Sequence, residues 1–127
     1  MRALVIDDSR TMRRIVADIL GGLGFATSPA GNGREALDLL EAGETFDLAC
    51  IDWNMPVMDG LEFVKAVRAR PDWRVLTLMM VTTESEHGQV VRALAAGAHE
   101  YLIKPFTADA VRSKLELLGL LPFDEPT

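Results

Sequence analysis

The sequence predicts an α/β domain, a doubly wound parallel sheet of five strands with helices on both faces. Three observations predict it. Short apolar runs bounded by polar residues recur along the chain, the pattern of strands buried on both faces: Ala3-Leu4-Val5-Ile6, Leu48-Ala49-Cys50-Ile51, Leu78-Met79-Met80-Val81 and Tyr101-Leu102-Ile103. The stretches between them space their apolar residues as amphipathic helices do. The length, 127 residues with 49% hydrophobic, suits one domain with one ordinary core and sets the chain apart from disordered sequences.

The elements follow in order. The first strand covers residues 4–7. Ser9 is a good N-cap for a helix over residues 10–20, with Met12, Ile15, Val16, Ile19 and Leu20 on one face. Gly21, Gly22 and Gly24 end that helix. Residues 25–29 form a weak second strand, and Pro29, which has no N–H to donate, predicts a sheet edge or a strand end. Asn32 or Gly33 opens a helix to residue 42, with Ala36, Leu37, Leu39 and Leu40 apolar. The third strand is 46–52, followed by a loop over 55–59 that Pro56 and Gly60 punctuate. A helix over 61–69 is closed by Pro71, and the fourth strand is 76–82. A helix over 86–96 ends at Gly97, the fifth strand is 99–103, and Thr107 N-caps a last helix to residue 118. With right-handed crossovers, this (βα)5 rhythm has the flavodoxin-like strand order 2-1-3-4-5 as its common solution. That order makes strands 1 and 3 neighbours where the winding reverses. The domain is expected over residues 1–120, with the Pro- and acid-rich residues 121–127 as a C-terminal tail.

Charge and cysteine usage narrow the function. The net charge is -6, which argues against nucleic acid as a direct partner, because phosphate binding needs clustered Lys and Arg. The single cysteine, Cys50, sits inside an apolar run and reads as a small core residue. Met1-Arg2 leads straight into a strand without an apolar leader, and no apolar run approaches the ~20 residues of a membrane span. A soluble cytoplasmic protein with no membrane partner is expected. His87 and His99 are isolated from each other and from Cys50, so the usual zinc spacings are absent, and both read as structural or surface residues.

The strand ends carry the chemistry. In an open α/β sheet, sites form outside the carboxyl ends of the strands at the switch point. Here those ends present Asp7-Asp8, Asp52, Thr82-Thr83 and Lys104-Pro105. Three carboxylates on one rim repel one another, and Mg2+ removes the conflict because it prefers hard oxygen ligands and keeps several waters or phosphate oxygens. Asp7 and Asp8 could instead cap the following helix, but a cap needs one carboxylate and Ser9 already competes for it. Beside a metal, Asp52 can attack a phosphoryl group and become an aspartyl phosphate. Lys104 is the candidate ammonium; a cis bond to Pro105 would fix a turn that aims it inward. Thr82 is a hydroxyl donor for a phosphoryl oxygen, Tyr101 lies on the strand leading to Lys104, and Trp53 is placed to report changes at Asp52.

These residues resemble a known family. The segments 7–16 (DDSRTMRRIV), 52–60 (DWNMPVMDG), 80–82 (MVT) and 104–108 (KPFTA), in this order and at these spacings, are similar to bacterial two-component response-regulator receiver domains of the chemotaxis type. The resemblance covers nearly the whole chain. It implies that Asp52 is the phosphoacceptor, taking a phosphoryl group from a sensor histidine kinase or a histidine phosphotransfer protein. It implies Mg2+ as cofactor, bound by Asp8 directly, by Asp7 often through water, by Asp52 and by the backbone carbonyl of Asn54. Lys104 would contact the phosphoryl group, Thr82 would move to hydrogen-bond it, and Tyr101 would turn inward behind Thr82. Both shifts would remodel the face of the fourth helix, fifth strand and fifth helix, where a downstream protein target docks. Asn54 and Glu84 would flank the attacking water and tune autodephosphorylation. Thr83 departs from the Ala or Gly of many relatives and would narrow access to Asp52.

The resemblance makes the chain a switch whose substrate is its own Asp52 and not an enzyme with a separate substrate. Two alternatives remain at this point. An aspartyl-nucleophile phosphatase of the haloacid dehalogenase type would carry its nucleophile after the first strand with a second Asp two residues on, where this chain has Asn54 after the third. A flavin-binding flavodoxin would need hydroxyls and amides after the first strand, where two aspartates would repel a phosphate.

Overall fold

The computed structural model describes residues 1–83 and 88–121. Strands β1 (Arg2–Ile6), β2 (Ala26–Ala30), β3 (Leu48–Asp52), β4 (Thr77–Thr83) and β5 (Glu100–Lys104) alternate with helices α1 (Arg10–Gly22), α2 (Gly33–Glu41), α3 (Gly60–Arg68), α4 (Val90–Ala96) and α5 (Ala108–Leu117). A single 3-10 turn, Pro71–Trp73, precedes β4. All pairings are parallel and the order is β2-β1-β3-β4-β5, as the alternation predicts. Pro29 indeed lies on an edge, because β2 pairs only with β1.

Strand alternation sorts the core into two layers. Leu4, Ile6, Ala49, Ile51, Leu78 and Met80 point to the side covered by α2, α3 and α4, where Leu37, Phe63, Val64 and Ala93 meet them. Ala3, Val5, Leu48, Cys50, Met79, Val81 and Leu102 point to the other, where α1 supplies Val16 and Leu20 and α5 supplies Val111 and Leu115. Burial pushes the Cys50 thiol up to about 12, so it stays a neutral core group. Leu118, Leu120 and Leu121 still pack on this second layer; residues 122–127 of the expected tail lie outside the described residues.

Several boundaries differ from the sequence expectation, each for a visible reason. Helix α1 runs through Gly21 and Gly22, and only Gly24, at φ 98, stops it. The Phe25 N–H then donates back to Leu20 O (3.0 Å), which keeps Phe25 in the helix-ending turn and starts β2 one residue later. The third strand starts at Leu48, not residue 46. Phe46 lies under the Arg2 guanidinium (4.4 Å), and the Asp47 carboxylate takes the Arg2 N–H (2.8 Å), so side chains tie these residues down before the ladder begins. The predicted fourth helix, 86–96, is seen from Val90; its expected start lies within 84–87, outside the described residues, as does His87.

Two glycines are set by close approach. A Cβ on Gly60, the first residue of α3, would stand 2.6 Å from the carbonyl oxygen of Asp52 and 2.8 Å from Met80 Cε. Gly97, at φ 122, ends α4 where the Arg68 side chain crosses it; a Cβ there would meet Arg68 Cγ at 2.5 Å. Arg68 ties the lower end of the sheet together. Its guanidinium donates to Gly97 O (2.9 Å) and Leu76 O (2.9 Å) and stands 3.2 Å from His99 Nδ1. That same ring nitrogen accepts from the Leu78 N–H (3.1 Å), so His99 has the structural role expected of it.

Two stability outcomes follow from these contacts. Gly60→Ala forces a methyl against backbone, and urea unfolding is expected to show a loss of roughly 1–3 kcal/mol. For His99, burial and then the charge of Arg68 hold the imidazole below its ordinary value, so the fold favours the neutral ring. The unfolded chain binds the extra proton between that lowered value and 6.5, and this contribution to stability is lost as pH falls through that window. His99→Ala is therefore expected to cost about 1 kcal/mol at pH 7.5 and less at pH 5, read by urea unfolding at both.

Candidate functional site

Three strand ends converge at the upper rim. The Asp7 N–H still donates to Ala30 O (3.1 Å), so Asp7 extends the β1 edge and its side chain is buried. Asp7 Oδ1 accepts from the Ser9 N–H (2.8 Å), while Ser9 Oγ accepts from the Met12 N–H (3.2 Å). Ser9 is the N-cap of α1, which leaves Asp7 and Asp8 free of that duty. Asp52 is the last residue of β3 and is also buried, whereas Asp8 is exposed. The three carboxylates each offer an oxygen, and these oxygens lie within 4.8 Å of one another. Lys104, the last residue of β5, donates from Nζ to Asp52 Oδ1 (3.1 Å) and stands 3.6 Å from Asp7 Oδ2. The Lys104–Pro105 bond is cis.

The electrostatics are those of a crowded acidic site. Burial, then the charge of Asp7, pushes the Asp52 carboxyl up to about 6; the hydrogen bond and charge of Lys104 pull it back only in part. Burial alone lowers the Lys104 ammonium, but the hydrogen bond and charge of Asp52, with help from Asp7, outweigh it and leave the group raised. One lysine thus undercompensates three acids. A small divalent cation with oxygen ligands fits this donor set, because the oxygens already converge and the residual charge is negative.

The hydroxyls stand in a different state. Thr82 is fully buried, and its Oγ1 donates to Thr83 O (3.2 Å) rather than to a rim carboxylate. Thr83 is half-buried beside it and pairs with Lys104 across the β4–β5 ladder. Tyr101 is half-buried against the core, with the Lys114 ammonium over its ring at 4.6 Å. Asn54 is exposed two residues beyond Asp52. Glu84 lies outside the described residues.

The loop after Asp52 holds features that the sequence reading missed. Val57 has φ 70, and the Met58 N–H reaches Pro56 O at 2.7 Å. This is the rare, strained form of γ-turn, centred on a β-branched residue for which positive φ is an outlier. The turn is braced on both sides. Gly33 N donates to Met58 O (3.2 Å) and packs where a Cβ would strike Met58 Cγ at 2.8 Å, and Asp59 forms a capping box with Glu62. Trp53 is buried against the core directly after Asp52. Arg13 was also missed: its guanidinium donates to Asp7 O at 2.6 Å and fixes α1 to the rim. A cavity of about 320 Å3 lined by Leu40, Phe46, Trp73 and Leu76 lies at the opposite end of the sheet, before β3 and β4, and touches none of these residues.

Comparison with known proteins agrees with this geometry. Residues 3–116 match the family model of the response regulator receiver domain. A chemotaxis protein CheY homologue of Campylobacter jejuni is 46% identical over 117 residues, which cover 91% of this chain and 90% of the relative. The chemotaxis protein CheY of Pseudomonas aeruginosa is 43% identical, with 91% of this chain and 94% of the relative covered. The solved structure of Vibrio cholerae CheY4 superposes with a TM-score of 0.83 at 36% identity, covering 91% of this chain and 96% of that one. Nothing among these matches supports the phosphatase alternative. Receiver domains are signalling switches that interact with histidine kinases and downstream targets. Among the described residues no helix is long and apolar enough to cross a membrane. On its sequence, its strand order and its acidic rim together, the chain belongs to the response-regulator receiver domains.

Proposed function

We propose that Asp52 is the phosphoacceptor of a Mg2+-dependent switch. The observation that carries this is the convergence of three carboxylates at the winding reversal, two of them held by one lysine, with Asp52 itself buried and poorly neutralised. Asp7, Asp8 and Asp52, with the carbonyl of Asn54, would hold the metal. When bound, Mg2+ supplies charge neutralisation at the transferred phosphoryl oxygens and at the crowded carboxylates.

The chain's own groups do the rest. An Asp52 carboxylate oxygen attacks phosphorus, and the bond from phosphorus to the donor's imidazole nitrogen breaks, with the electron pair leaving on nitrogen. Lys104 exchanges part of its contact with Asp52 for a phosphoryl oxygen and so offsets charge where it develops. Thr82 turns its hydroxyl from Thr83 O to the phosphoryl group, and Tyr101 follows inward. Asn54, Thr83 and Glu84 border the water path and set the rate of dephosphorylation. The added charge of roughly -1.5 to -2 biases this two-state arrangement and reshapes the α4–β5–α5 face for a downstream protein. The donor is a sensor histidine kinase or a histidine phosphotransfer protein. The names of the similar proteins point to chemotaxis as the pathway. The receiver would span residues 1–120, act in the cytoplasm and turn over no separate substrate.

Incubation with acetyl phosphate and Mg2+ is expected to add one phosphoryl group at Asp52, seen by intact mass and peptide mapping. Asp52→Asn should remain unlabelled, and omission of Mg2+ should suppress labelling. Equal labelling of Asp52→Asn would sink the assignment.

A second outcome concerns stability. The folded Asp52 carboxyl is raised from 3.8 to about 6, so the folded chain binds more protons than the unfolded one between these values. The burden of the buried charge is absent below about 3.8 and fully present above about 6. At pH 7.5 without Mg2+, Asp52→Asn is expected to stabilise the fold by roughly 1–2 kcal/mol, after allowance for solvent screening. Urea unfolding should show that gain shrink at pH 4.5 and on adding Mg2+ to the parent chain.

A further inference from the structure

Helix α1 breaks two local rules at the edge of the rim. Helices α2, α3 and α5 each place an acid in the first turn, Glu35, Glu62 and Asp109, as the positive end of the helix dipole favours. Helix α1, like α4, places none there, and it opens instead with Arg10, Arg13 and Arg14. Arg10 and Arg14 are also a like-charge pair four residues apart, a mildly destabilising arrangement. Acids are plentiful in a chain of net charge -6, and Arg2, Arg34 and Arg70 each stand within 3.2 Å of one. Arg10 and Arg14 are exposed and make no hydrogen bond or ion pair among the described residues.

Their position gives these charges a direction. One shallow groove, lined by Asp8, Arg13, Pro29, Gly31, Glu35 and Pro56, opens on the rim. A second, lined by Arg10, Thr11, Arg13, Arg14, Ala17 and Pro29, runs along α1. The two share Arg13 and Pro29, so they adjoin, and the groove beside Arg10 and Arg14 borders the one that holds the carboxylate of Asp8. Glu35, the one other acid on this path, is engaged with the Gly31 N–H (3.2 Å).

We propose that Arg10, Arg13 and Arg14 form an electrostatic entry lane for small dianionic phosphodonors, acyl phosphates in particular. The proposal rests on the reading of Asp52 as phosphoacceptor. A dianion approaching this molecule meets a negative chain and three converging carboxylates. Unpaired cations beside the rim raise its local concentration and its rate of capture, as charged clefts do for charged substrates. In the reaction served, an Asp52 oxygen bonds to phosphorus, the bond from phosphorus to the acyl oxygen breaks, and the carboxylate leaves with the electron pair. Arg10 and Arg14 act on approach; they are steering residues and touch no reacting atom.

The test measures phosphorylation rates of the full chain at pH 7.0 and saturating Mg2+, by Trp53 fluorescence with intact mass as a check. The donors are acetyl phosphate, a dianion, and phosphoramidate, which carries one net negative charge. In the Arg10→Gln/Arg14→Gln double variant, the second-order rate for acetyl phosphate is expected to fall about 3–10-fold at low salt. The phosphoramidate rate should fall less than about twofold, and 0.5 M NaCl should close the gap by screening. Arg10→Lys/Arg14→Lys should stay near the parent. The glutamine variant should melt at the parent temperature or above, since it removes a repulsive pair, which excludes misfolding as the cause. An unchanged acetyl phosphate rate, an equal loss with both donors, or a loss that persists at high salt overturns the entry lane alone. A parent chain that takes no phosphoryl group from either donor overturns the reading of Asp52 and the lane with it.

Discussion

The rim depends on one ammonium placed between two buried carboxylates. Lys104 reaches Asp52 at 3.1 Å and Asp7 at 3.6 Å from the end of β5, two strands away from β3 and three from β1. Without it, two buried negative charges would face each other in poor solvent, a situation that ordinarily resolves by protonation. With it, both acids keep their positions, yet Asp52 stays close to neutral-range titration. The balance is incomplete, because one ammonium faces three carboxylates, and the cluster keeps a residual negative charge that suits a further cation.

That constraint explains how the surrounding chain is arranged. Asp52 must lie at the end of a central strand to be buried, and α3 must then begin almost on top of it. Gly60 allows this, since any side chain there would strike the Asp52 carbonyl. The seven intervening residues have to turn within that small space, and the strain concentrates at Val57. Met58 and the Asp59 capping box hold the turn from either side, so the loop carrying Asn54 is fixed by α2 and α3 rather than by the site itself. Thr82 complements this from β4. Its buried hydroxyl donates to Thr83 O, so this donor is satisfied without a rim carboxylate.

How much of this was legible in the sequence follows from the range of each interaction. Apolar runs and helical spacing are local, so the five strands, their order and the meeting of Asp7, Asp8, Asp52 and Lys104 could be read directly. Boundaries failed where a side chain from elsewhere intervened. Arg2 captured Phe46 and Asp47, which look like strand residues by pattern alone. The glycines after α1 look equivalent in sequence, but only Gly24 takes positive φ. Arg13 and Val57 were missed for a related reason. One acts through a backbone carbonyl and the other through a backbone angle, and neither leaves a pattern in residue types. Arg68 and His99 are alike in this respect: their partners are carbonyls and an N–H on other elements.

The two ends of the sheet therefore work against each other in a way that suits a switch. At the lower end, Arg68 draws α3, the start of β4 and the end of α4 together through fully used hydrogen bonds, and the neutral His99 ring is part of that closure. At the upper end, burial and like charge leave Asp52 destabilised as an anion. The opposite signs of the two titrations express this division: ionisation of Asp52 works against the fold, whereas deprotonation of His99 supports it.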